Sequence, residues 1–367
     1  MRRYISEGSI RKLIQFGDFN SLDINDINLF FRQDRGIADY APDGYCQTDP
    51  RNGDRIVYNS ARARRPHDNR PKEFSEIIDI NHKGCVICQG QTTKILDIAP
   101  LSEGFTFINK NLFPIFYPFE GNSEGVNEPL IHHQNNDSMP VHGYHFLQWT
   151  SSYHDKDWHN MPLDDRVVVL DRLAVLEKKM HSIPEMYVSI IKNYGHLVGG
   201  SLSHGHQQIG VSNIMPNRIY LDQEFQKKSG ETFSKFMLRE NDLDLVIKDY
   251  GPAILMTPYF MRRPYDMLLL IKDTTKSCLY ELEPHEIEAI ADGWQDGIRI
   301  MMSVMTRIGK EIAYNITTHN GPGAGLYFEF LPYTQEMGGF EHLGLYLCQG
   351  NPRDAAQTAR DILDGYA

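Results

Sequence analysis

With 367 residues, 41% of them hydrophobic and 23% charged, the chain has a soluble globular composition and is long enough for two domains or two fused halves. Its 37 Lys+Arg against 48 Asp+Glu leave a formal charge of −11, so no global positive field draws in a nucleic-acid backbone, and any anion site has to be built locally. No stretch approaches the roughly 18 apolar residues of a membrane span, and the start, Met1-Arg-Arg-Tyr-Ile-Ser, lacks an apolar signal core. No membrane partner and a cytoplasmic location are the expectations.

Residues 1–48 mix short apolar pieces with Asp, Asn and Gly without a clear period, and they read as an N-terminal extension. Residues 49–215 form a first half. Arg55–Tyr58, Phe105–Ile108, His145–Thr150 and Tyr187–Ile191 read as strands from their β-branched and aromatic content. Between the last two, Val169, Leu170, Leu173, Leu176 and Met180 recur at helical spacing behind Pro162. A polar stretch, 216–242, reads as a linker. Residues 243–367 then repeat the order: strands at Ala253–Met256 and Met267–Ile271, a helix opened by Pro284 with Ile287, Ile290, Trp294, Ile298 and Met301 on one face, and strands at Ala313–Thr317 and Leu326–Leu331. The pattern predicts an α+β chain of two fused halves, each a mainly antiparallel sheet with a covering helix.

The densest chemistry lies in Gly199-Gly-Ser-Leu-Ser-His-Gly-His-Gln-Gln-Ile. Small residues let the backbone approach an anion closely. His204, His206 and Gln208 alternate, so an extended segment points all three to one face. A neutral imidazole can attack phosphorus near neutral pH without a separate base when its other nitrogen is held by a hydrogen bond. Gln208 could donate to a phosphoryl oxygen as charge develops there.

Five cysteines are an odd number, and a disulfide framework is not expected. Cys85-Val-Ile-Cys88 is half of a tetrahedral zinc site, since two thiolates on a tight turn bind one metal. A redox pair is the rival reading, although no helix pattern begins at the motif as a thioredoxin-like site needs. The donors to complete a structural zinc site are His204 and the segment Tyr153-His-Asp-Lys-Asp-Trp-His159. Arg62-Ala-Arg-Arg65-Pro and Arg262-Arg263 are compact basic patches in an acidic chain.

These pieces, in this order, resemble the galactose-1-phosphate uridylyltransferase family of the histidine-triad superfamily. The resemblance runs from about Asp49 to the C-terminus. Its elements are Arg62-Ala-Arg-Arg-Pro, Asn111-Leu-Phe-Pro, Asn193-x-Gly195 followed by Ser201, His204, His206 and Gln208, then Phe328-Glu-Phe-Leu-Pro and Gly339-Phe-Glu341. It implies transfer from a nucleotide sugar, through a nucleotidyl-His206 adduct, to a sugar 1-phosphate or inorganic phosphate. A histidine-triad hydrolase and a non-catalytic nucleotide-sugar sensor are the alternatives. It further implies that Ser201 and Gln208 contact phosphoryl oxygens, Arg62 and Arg65 the phosphates, Asn111, Asn193 and Gly195 the nucleotide, and Glu341 the hexose. Zinc would sit on Cys85, Cys88, His204 and His154, which is preferred over His159 for its distance from the preceding strand. His319 matches one ligand of a second metal found in some members, but Gly325 and Tyr327 stand where histidines usually do. A homodimer is implied by resemblance alone.

Overall fold

The computed structural model describes residues 3–33, 45–48, 55–58, 85–118, 139–321, 323 and 325–366. In chain order its strands are β1 (Tyr45–Thr48), β2 (Arg55–Tyr58), β3 (Ile95–Pro100), β4 (Phe105–Lys110), β5 (Met139–Pro140), β6 (Gly143–Trp149), β7 (Tyr187–Tyr194) and β8 (His206–Ser212), then β9 (Val246–Asp249), β10 (Ala253–Met256), β11 (Met267–Ile271), β12 (Tyr314–His319) and β13 (Tyr327–Pro332). The helices are α1 (Glu7–Leu13), α2 (Ile24–Arg32), α3 (Leu163–His181), α4 (Asn217–Ser229), α5 (Phe233–Glu240), α6 (Pro284–Arg307), α7 (Gly339–His342) and α8 (Pro352–Leu363).

The predicted α+β class and the two antiparallel halves are observed, with one refinement. The halves do not form separate sheets. Their inner strands β7 and β12 pair antiparallel, Asn193 opposite Asn315 and Ile191 opposite Thr317. The result is one ten-stranded sheet ordered β3-β4-β6-β8-β7-β12-β13-β11-β10-β9, with β2-β1-β5 as a small separate sheet.

Alternation sorts this large sheet into two faces. One face carries Phe146, Val188, Ile190, Ile209, Ile316, Phe328, Phe330 and Leu269, all buried against α3 and α6 in the main core. Helix α6 has room to lie close because of its glycines: a Cβ at Gly293 would sit 2.6 Å from Leu269, and one at Gly297 would sit 2.7 Å from Phe330. Its start is fixed by Pro284 in the first turn and a Glu283/Glu286 capping box. Helix α3 opens behind Pro162 with Asp164 and Asp165 and closes with Lys178, Lys179 and His181, matching the helix dipole at both ends.

The opposite face carries the chemistry. There Trp149 pairs with His206, Leu147 with Gln208, and Ile191 with Gln208 across β6, β8 and β7. The N-terminal residues 3–33 pack onto the first half: Phe19, Phe30 and Phe31 are buried, and Phe31 meets Phe146 edge to face. The stretch between the halves holds α4 and α5, and Met237 of α5 caps a small apolar cluster with Met256, Leu268, Leu270 and Tyr327.

Candidate active site

The loop from β7 to β8 is shaped by its glycines. Gly195 and Gly199 take left-handed backbone angles, φ +91° and +86°, that disfavour any side chain. Gly200 N–H donates to Gly195 O at 2.9 Å, and a Cβ on Gly200 would lie 2.7 Å from that oxygen. The loop is therefore closed by two backbones in direct contact. Asn315 of β12 pins it from the second half, donating to Asn193 Oδ1 at 2.8 Å and to Val198 O at 3.1 Å.

At the loop's end His206 Nδ1 lies 2.8 Å from the His204 carbonyl. A carbonyl only accepts, so Nδ1 carries the proton and Nε2 keeps its lone pair. Burial, partly offset by that carbonyl, pushes His206 down to about 4, so the ring is neutral at pH 7. The ring is tilted against Trp149 at 5.0 Å. Together with Ser201, Gln208, Asn111, Leu147 and Trp149 it lines a cavity of about 430 Å³. That volume suits a nucleotide-sized ligand.

Behind the loop stand the cysteines. His204 Nδ1 lies 3.8 Å from Cys85 Sγ and 3.6 Å from Cys88 Sγ, and His154 Nδ1 lies 3.5 Å from Cys88 Sγ. A tetrahedral zinc with Zn–S of about 2.3 Å and Zn–N of about 2.0–2.1 Å requires S···N edges of roughly 3.6 Å. His204 Nε2 is 2.8 Å from the Ser151 carbonyl and so donates there, which leaves Nδ1 unprotonated and aimed at the sulfurs. All four donor atoms lie within 4.8 Å of one another. His159 is not among them, and its carbonyl instead accepts from Arg299 Nε at 3.0 Å.

The other expected residues are placed differently. Arg62 and Arg65 lie outside the described residues. Asn111 lines the cavity, but its Oδ1 accepts from Phe113 N–H at 2.9 Å. Asn193 and Gly195 do not line the cavity and shape the loop as described. Glu341 sits in α7, and its carboxylate accepts from Gly338 N–H at 2.8 Å and Leu347 N–H at 3.2 Å. Arg262 pairs with Glu329 at 2.9 Å and Arg263 with Asp266 at 3.5 Å, on the walls of a second cavity of about 370 Å³ beyond β7. His319 spends both nitrogens on carboxylates, Nδ1 on Asp222 at 2.9 Å and Nε2 on Glu329 at 3.0 Å. Its donors point in opposite directions and do not converge on one ion.

Two features have no clear trace in the sequence. Trp149 walls both histidines, and only strand alternation hints at it. Lys192, 1% exposed, reaches behind β8 to Asp157 at 2.8 Å and to the His206 carbonyl at 3.3 Å.

No known protein-family model matches the sequence. Among solved structures, a uridylyltransferase is similar with a TM-score of 0.66 at 19% identity, covering 88% of this chain and 99% of that one. The fold is that of the uridylyltransferases. An ADP-glucose phosphorylase from Arabidopsis thaliana with bound ADP-glucose shares it with a TM-score of 0.61 at 17% identity, covering 86% of this chain and 98% of that one. In sequence, the chain is 21% identical over 329 residues to an ADP-glucose phosphorylase from Arabidopsis thaliana, covering 84% of this chain and 90% of that protein. The similarity thus extends along most of the uridylyltransferase fold.

Proposed function

We propose that the chain is a nucleotidyltransferase that moves a nucleoside monophosphate from a nucleotide sugar to a phosphate acceptor through a covalent histidine adduct. The observation that carries this is His206: neutral, with Nδ1–H fixed by the His204 carbonyl and Nε2 left as the nucleophile beside the cavity. Nε2 attacks the α-phosphorus, a P–N bond forms, the bond to the bridging oxygen breaks, and a sugar 1-phosphate leaves with the electron pair. An oxygen of the acceptor phosphate then attacks the same phosphorus and breaks the P–N bond. Gln208 lies on the same strand face and offers an amide N–H to the phosphoryl oxygens, with Ser201 across the cavity. The leaving group is already a stable anion, so no acid is needed, and an amide at position 208 serves better than a proton donor. This argues against the hydrolase alternative.

The acceptor is a sugar 1-phosphate or inorganic phosphate. Similarity to an ADP-glucose phosphorylase favours the latter. On this reading Arg62 and Arg65 serve the phosphates, and Glu341 a hexose. Cys85, Cys88, His154 and His204 would hold a zinc ion that fixes the start of β8, and four protein donors leave it no open position. A cytoplasmic homodimer goes with the reading by resemblance, and sedimentation of a pure monomer at assay concentration would remove the dimer.

The test is to incubate the protein with nucleotide sugars labelled at the α-phosphate. Acid-labile label is expected on the wild type and not on His206→Ala. Discharge by phosphate to a nucleoside diphosphate identifies a phosphorylase, and discharge by a sugar 1-phosphate to a new nucleotide sugar identifies a transferase. Failure of the wild type to take label from any nucleotide sugar refutes the covalent route.

A further inference from the structure

At the far side of the sheet the two halves meet through a second cluster of ligand-type side chains. Glu177 and His181 stand one turn apart at the C-terminal end of α3, so both face the same way. Opposite them is Cys278, in the second-half loop that leads to α6. Cys278 Sγ lies 3.7 Å from His181 Nδ1, close to the same tetrahedral edge of roughly 3.6 Å that the Cys85 cluster shows. One donor atom from each of the three lies within 4.8 Å of the others.

The surroundings suit a cation. Glu177 is fully buried, and the hydrogen bonds given to its carboxylate come from neutral groups: Leu279 N–H at 2.6 Å, Tyr280 N–H at 3.3 Å and the Asn320 amide. Those donors bring no countercharge, and burial pushes the Glu177 carboxyl up to about 7; its oxygens retain lone pairs, and a cation beside it would hold it ionised. The last turn of α3 presents its carbonyl end here, which also favours positive charge. Burial and the Glu177 charge push the free Cys278 thiol up to about 12, so the sulfur becomes a thiolate here only with a cation beside it.

We propose that Glu177, His181 and Cys278 bind a second zinc ion, with a water as fourth ligand. The soft sulfur, the imidazole and the single carboxylate oxygen form a mixed set that suits zinc and not calcium or magnesium. Binding displaces the thiol proton to solvent. The ion joins α3 of the first half to the loop that carries α6 of the second, so it acts as a structural clasp between the halves. It stands apart from the catalytic face and does not depend on the proposed reaction.

The experiment is elemental analysis of the full-length protein purified without chelators. The wild type is expected to hold about two zinc ions per chain, and Cys278→Ser and His181→Ala about one each. A Cys85→Ser variant separates the two sites, since it should lose the other ion. Should a variant fail to fold, X-ray absorption on wild-type protein decides: three cysteines over two ions give about 1.5 sulfurs per zinc, whereas the first site alone gives about two. Wild-type zinc content in Cys278→Ser and His181→Ala, or about two sulfurs per zinc, overturns the proposal.

Discussion

Lys192→Met tests whether the nucleophile is held from behind. The Lys192 ammonium lies on the helix-covered side of β7, 2.8 Å from Asp157 Oδ2, 3.1 Å from Oδ1 and 3.3 Å from the His206 carbonyl. Asp157 in turn presses on the turn before His206, where a Cβ on Gly205 would lie 2.6 Å from its Cγ. Burial alone would push the Asp157 carboxyl up, but Lys192 and the Trp158 N–H hold it below the usual carboxylate range. Methionine keeps most of the bulk and removes the charge, leaving a fully buried carboxylate with one backbone donor. Breaking one side of a buried pair costs about 3–5 kcal/mol. The sign of the pH effect follows. In the wild type the depressed Asp157 contributes stability above its unfolded value of 3.8, and that contribution is lost as pH falls through the lower folded value. In the variant the raised carboxyl is a penalty at neutral pH that fades as the group protonates. Urea unfolding should therefore show a deficit of about 3 kcal/mol or more at pH 7, shrinking towards about pH 4. Adding Asp157→Asn should recover most of it, because the stranded charge is then gone. A deficit below about 1 kcal/mol at pH 7, or strict additivity of the two substitutions, refutes the reasoning.

Chelating the ion proposed for Cys85, Cys88, His154 and His204 should loosen the apolar cluster of Ile5, Ile10, Ile87, Ile95, Phe107, Leu147 and Trp149 that includes Cys85. A melting-temperature drop on the order of 10 °C, restored by zinc, is expected for a loss of several kcal/mol in a chain of this size, and an unchanged melting curve after verified metal removal counts against the site. The Asp222–His319–Glu329 triad sets a second pH dependence. Burial lowers the His319 value, but the Glu329 charge and the Asp222 hydrogen bond outweigh it and hold the ring at about 9 against an ordinary 6.5, while Glu329 is held at about 2 against 4.5. The His319 contribution is complete below pH 6.5 and lost as pH rises through about 9, whereas that of Glu329 is present above pH 4.5 and lost as pH falls towards about 2. Wild-type stability should fall by up to about 3 kcal/mol between about pH 6 and pH 9.5, and His319→Gln should lack that alkaline decline. The same decline in both proteins would show that His319 is not its source.

The site was legible where its chemistry lies close in sequence. His206 and Gln208 alternate on β8, so the strand period puts both on one face, whereas His204, expected there too, stands in the bend before the strand and turns to the cysteines. Cys85 and Cys88 were readable for the same reason. Their partners were candidates until the fold brought His154 to 3.5 Å from Cys88 and gave His159 to the contact with α6. Lys192 and Asp157 are 35 positions apart, and a lysine within an apolar strand gives no sign of which carboxylate it meets. The union of two sheets into one escaped for a related reason. Periodicity shows that β7 and β12 are strands, but their pairing is a contact between edges with no turn to signal it. Asn193 and Gly195 show the limit of reading a motif as a binding surface, since here they build the loop's shape together with Asn315.

The −11 charge acquires a local meaning once the cations are located. Arg262 and Arg263, on the walls of the cavity beyond β7, are matched by Glu329 and Asp266. In the cavity beside His206, Lys110 is the one cation among the described lining residues, and its ammonium binds the Phe30 carbonyl at 2.8 Å. On the proposed function, Gln208 and Ser201 are the neutral donors to the phosphoryl group, beside whatever charge Arg62 and Arg65 bring, and a neutral nucleophile suits the site because attack requires no prior loss of a proton. Other parts of the ligand can add binding energy. The walls of Ile87, Leu112, Phe113, Leu147, Leu202 and Trp149 offer an apolar slot for a nucleobase. Apolar and aromatic surface of that kind supplies affinity, while a few placed polar groups set orientation. On the proposed function the apolar slot holds the base, and the phosphate is presented to His206.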